Sequence, residues 1–123
     1  MRTAGPLDES GRRHVLRVLV GGFGDIAVRG IRAILRHPEF QVEECGADAV
    51  TDALAARRPD ALLLETGPRA DTVFAEAVAA ALPGLTVVAC SAHRTDMRVR
   101  PRESGAWHSR RLSAQALLDS VRS

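Results

Sequence analysis

The apolar residues of this chain fall into short dense blocks separated by stretches of helical spacing. Residues 14–21 (HVLRVLVG) form a near-continuous apolar run, the pattern of a strand covered on both faces. Gly21, Gly22 and Gly24 interrupt it. Residues 25–35 then place Ile26, Gly30, Ile31, Ile34 and Leu35 on one side of a helix, which His37-Pro38 closes. Residues 40–45 (FQVEEC) alternate apolar and polar, as in a less buried strand. Residues 48–57 read as a short amphipathic helix with Val50, Leu54 and Ala55 inward, and 59–65 (PDALLLE) as a second fully buried strand. Gly67-Pro68 is a turn. Asp71 caps an Ala-rich helix that runs to about Leu82, Pro83-Gly84 ends it, and 85–90 is a further buried strand.

Beyond Ser91 the pattern weakens. Residues 93–103 are Arg-rich and contain Pro101, so a helix there is short or broken. Residues 106–109 are a weak candidate for a fifth strand. Residues 113–121 are a last helix, with Leu117, Leu118 and Val121 inward and Ser113 as its cap. Strands alternating with helices predict an α/β fold with a parallel sheet and helices on both faces. Ligands in such folds bind outside the carboxyl ends of the strands. Gly22, Phe23, Glu65 and Ser91 all fall at that edge.

Composition adds bounds. A chain of 123 residues makes one domain. With 46% apolar and 26% charged residues it is globular, and with 3% aromatics its core is aliphatic. A formal charge of +2 is too small to argue for nucleic-acid binding. Cys45 and Cys90 are too far apart in sequence for a metal motif and read as buried free thiols of a cytoplasmic protein. No apolar stretch is long enough to span a bilayer, and residues 1–13, without an apolar core, read as a disordered arm rather than a signal peptide.

With RVLVGGFGDIAVRGIRAIL, RRPDALLLE and VVACSAH in place, the chain resembles a response-regulator receiver domain of the LuxR/NarL type over about residues 15–122. The resemblance implies a doubly wound, flavodoxin-like sheet of five parallel strands in the order 2-1-3-4-5, formed by residues 14–123. It also implies bacterial two-component signalling and transcription regulation. The family's two acids fall on Gly22 and Phe23, its phosphoacceptor aspartate on Glu65, its Thr/Ser on Ser91, its lysine on Arg110 and its switch aromatic on Trp107.

These substitutions remove the chemistry. Mg²⁺ takes hard oxygen ligands in octahedral geometry. Gly22 has no side chain and Phe23 has no side-chain oxygen. Asp25, the one nearby acid, reads as a helix N-cap. The chain is therefore expected to be an atypical receiver with no catalytic residues, no metal and no cofactor. Glu65 has three readings: a mimic of a phosphorylated aspartate paired with Arg110, a structural acid paired with Arg110, or a bystander. Gly22-Phe23-Gly24 lacks the last glycine of a dinucleotide loop, and the segment from Asp25 to Gly30 resembles a cobalamin motif whose histidine is replaced by Ala27. The four histidines form no catalytic or metal set.

The stretch 93–111 carries Arg94, Arg98, Arg100, Arg102, Arg110 and Arg111 against Asp96 and Glu103. In receivers this region forms the dimerisation and output face. A homodimer or an acidic partner protein is expected there, with no direct nucleic-acid contact and no membrane. The alternative function is a small-molecule sensor, its ligand held in the vacated pocket beside Phe23.

Overall fold

The computed structural model describes residues 15–67, 72–91 and 94–123. The expected N-terminal arm, the Asp71 cap and His93 lie outside the described residues. The first strand, β1 (Leu16–Gly21), leads into α1 (Asp25–Ile34), then β2 (Phe40–Cys45), α2 (Val50–Arg57), β3 (Ala61–Glu65), α3 (Val73–Ala81) and β4 (Thr86–Cys90). Two further strands follow, β5 (Asp96–Arg100) and β6 (His108–Arg111), before α4 (Ala114–Arg122).

All six strands form one sheet in the order β2-β1-β3-β4-β5-β6. β1 pairs in parallel with β2 and β3, and β3 with β4, while β4–β5 and β5–β6 are antiparallel. The expected five-stranded, all-parallel sheet is thus corrected to a six-stranded mixed one. The 2-1-3-4 order of its parallel part stands. The reason lies in the connection after β4. Only residues 91–95 join β4 to β5. A parallel crossover needs roughly a dozen residues or more, so the chain turns back on itself instead. After the second reversal β6 points the same way as β1 to β4. An antiparallel strand therefore stands where a short or broken helix was expected over 93–103, and the expected strand at 106–109 begins later, at His108.

The period-2 alternation of each strand sorts its side chains into two layers. Val18, Val20, Ala61, Leu63, Val88 and Cys90 face α1 and α4, joined by Met97 and Val99 of β5. Leu19, Leu62, Leu64, Val87 and Ala89 face α2 and α3. Gly21 permits the second contact, because a Cβ there would come within 2.7 Å of Val50 Cγ2 on α2. The α4 helix is fixed at both ends. Ser113 Oγ accepts the Ala116 N–H at 3.1 Å, as expected of its cap. Arg122 donates to both carboxylate oxygens of Glu39, at 3.0 and 2.7 Å, and this pairing raises its pKa.

Candidate functional site

The carboxyl ends of the parallel strands collect most of the residues singled out in the sequence. β1 runs out at Gly22, which has φ +84° and donates its N–H to Cys45 O at 3.1 Å. Glycine suits this turn because L side chains strain in the left-handed region. Phe23 follows, half-buried against the α1/α4 core. Gly24 occupies the N-cap position of α1, so Asp25 is the first helical residue rather than the cap. Its charge still suits the positive helix end.

Glu65 closes β3. A Cβ on Gly22 would lie 3.7 Å from the Glu65 Cβ, so the two positions adjoin as the sequence implied. Glu65 is in register with Cys90 on β4. Its Oε1 is buried and, among the described residues, has no hydrogen-bond partner. Ser91, at 2% exposure, sits just past the end of β4. Burial, and to a lesser degree the Glu65 charge, push the Cys90 thiol up to about 12 from its ordinary 9.0. The thiol is thus neutral and acts as an apolar wall. Cys45 is shifted the same way, chiefly by burial.

Arg110 is not brought to Glu65. Its Nη1 donates to Ser120 Oγ at 3.2 Å and to Ala116 O at 3.5 Å, tying β6 to α4. Both readings of Glu65 that pair it with Arg110 therefore lack their contact. Trp107 precedes β6, half-buried against the α2/α3 core, with the Arg98 guanidinium 5.6 Å from its ring centroid.

The expected basic face divides. Arg94, Arg98 and Arg111 are exposed. Arg100 is half-buried, 3.5 Å from the carbonyls of Pro83 and Leu85. Arg102 turns inward: its Nη2 donates to Asp60 O and Val121 O, both at 3.2 Å, and its backbone N–H to Thr86 Oγ1 at 3.1 Å. Arg102 is thus a clamp across the amino end of the sheet.

Two cavities flank the carboxyl edge, on opposite faces of the sheet. One, of about 270 Å³, opens between α1 and α4. Phe23, Ile31, Ile34, Leu112 and Leu117 wall it, over a floor of Cys90 and Ser91. Ala27 and Gly30 leave it room, since a Cβ on Gly30 would meet nothing within 4 Å. The other, of about 210 Å³, is polar and is lined by Thr66, Ser109, Arg94, Asp96 and Arg98 among others. A larger hollow of about 560 Å³ lies at the opposite end of the sheet, around Pro59 and Leu85. The strand-end rule favours the carboxyl edge over it.

The apolar cavity was partly legible in sequence. The α1 stripe of Gly30, Ile31 and Ile34 is visible as an inward face, but the contribution of Leu112 and Cys90 requires the sheet order. Among the described residues, no three His, Cys, Asp or Glu side chains cluster to hold a metal ion. Nor is any helix long and apolar enough to cross a membrane. No protein-family model, curated protein or solved structure matches the chain.

Proposed function

We propose that this chain is a non-catalytic, receiver-like signalling module that works in the cytoplasm of a bacterium as a protein-interaction domain in transcriptional regulation. It acts without Mg²⁺-dependent phosphorylation. The observation that carries this reading is the pairing of Gly22 and Phe23 with an unpartnered Glu65 carboxylate oxygen at the edge where ligands of such sheets bind. Two positions supply no side-chain oxygen, and one carboxylate does not complete a Mg²⁺ shell. The flavodoxin-like 2-1-3-4 core and the α4 helix after β6 support the receiver likeness. The inserted β5 replaces a helix of that plan with an exposed basic strand face, which suits a homodimer or an acidic partner.

The test is incubation with a small phosphodonor and Mg²⁺, read by mass, together with Trp107 fluorescence during Mg²⁺ and beryllofluoride titration. The expected result is no acyl-phosphate on Glu65 and no spectral change. A saturable change or a phosphate adduct overturns the reading.

A second reading is favoured by the apolar cavity beside Phe23: the module responds to a small molecule, which biases its surface toward or away from a partner.

A further inference from the structure

The cavity between α1 and α4 has a definite chemical character. Its walls are aliphatic and aromatic, and its helical side is opened by Ala27 and Gly30. At about 270 Å³ it lies between a benzene-sized apolar cavity of about 150 Å³ and the smallest drug-sized sites at about 300 Å³, which suits a molecule of about ten non-hydrogen atoms. Two features near its floor bear on the polar end of such a molecule. Glu65 stands behind the lining rather than in it: it is paired in register with the floor residue Cys90, and among the described residues its buried Oε1 has no donor. An acceptor left so is costly, and a donor that reaches it recovers that cost. The same carboxylate disfavours an anion. The α4 N-terminus at the rim offers an anion less than its position suggests, because Ser113 already accepts one of its first-turn N–H groups.

We propose that this cavity binds a small amphiphile, an aliphatic or aryl body with an amine or alcohol head, whose body lies between α1 and α4 and whose head donates toward Glu65. This rests on the ligand-responsive reading above and names the ligand class for it. The Glu65 side chain discriminates between heads, and Gly30 sets the depth of the site.

The test uses three probes with one chain and three heads: octylamine, 1-octanol and octanoate, titrated into the full chain by calorimetry and amide NMR. The amine and the alcohol are expected to bind, and octanoate to bind at least about tenfold more weakly, a difference of about 1.4 kcal/mol. Glu65→Gln should bring octanoate to within about threefold of the alcohol by removing the repulsion. Gly30→Leu should abolish binding while leaving the thermal midpoint unchanged or higher, because leucine is a better helix former and its Cβ meets nothing within 4 Å. Equal binding of all three heads overturns the Glu65 assignment and leaves the ligand-responsive reading standing. A folded protein that binds none overturns both. A concentration-dependent dimer that Ile34→Arg dissociates, with no probe binding, places a second copy in the groove and also overturns the proposal.

Discussion

The two faces of β5 teach opposite lessons from adjacent residues. Met97 and Val99 are each 1% exposed beneath the α1/α4 layer. Asp96 and Arg98, between and beside them, are exposed. The α2/α3 layer packs on β1, β3 and β4 and contributes no core partner on β5. One sheet is therefore a three-layer structure at its centre and a two-layer structure at its basic margin. Charge is tolerated on the uncovered face and excluded from the covered one.

The sharpest way to break this contrast is one acid placed on each face. Val99→Asp puts an unpaired charge into the core and should cost more than about 4 kcal/mol, or prevent folding. Arg98→Asp, on the open face, should change stability by no more than about 1 kcal/mol, mostly through the lost contact with Trp107. Urea titrations of the pair decide it, and equal costs would mean that a further layer covers the basic face.

Arg102 tests the exception, a basic residue from the same stretch that turns inward. Arg102→Ala should destabilise by about 2 kcal/mol, since carbonyls of Asp60 and Val121 lose a charged donor. Arg111→Ala, exposed, should cost far less by the same urea titration.

Cys90 extends the comparison to pH. Its thiol ionises near 9.0 when unfolded and near 12 in the fold, so the fold holds the proton more tightly. Its contribution is whole below pH 9 and is lost as pH rises toward 12. The chain has no tyrosine, and every one of its 17 basic Lys/Arg positions is arginine, so the other side chain titrating in this range is Cys45. Cys90→Val should flatten the alkaline fall of the denaturation midpoint, and an unchanged profile would place the thiol in contact with water.

The smallest expected effect is a gain. Gly30→Ala should stabilise by about 0.4–1 kcal/mol, because the site is helical and its Cβ meets nothing. A loss in thermal denaturation would mean that the cavity wall is tighter than described.

The parallel core was legible because β1, β3 and β4 are buried on both faces and read as plain apolar runs. β5 was missed although DMRVR alternates apolar and polar residues over its whole length. Pro101 and the density of arginine there suggest an irregular segment, but the proline lies just outside the strand and the arginines point away from the core. What sequence could not supply was the layer count, on which the meaning of that alternation depends. The same holds for the site. Gly22 adjoins Glu65, and Phe23 and Ser91 line one cavity, because the core order is the expected one, whereas Arg110 binds α4 from β6, which β5 separates from β4.

The antiparallel β5 also has a consequence in time. The strand pairs β4–β5 and β5–β6 close over short connections, and hairpins of this kind form in about 1–10 μs. Each parallel pair must wait for a helix-containing crossover to close, with its larger loop-entropy cost. The C-terminal margin is thus expected to supply early local structure to which the slower parallel core is added. Mutations at Met97 should then slow refolding, while those at Leu19 should mainly speed unfolding.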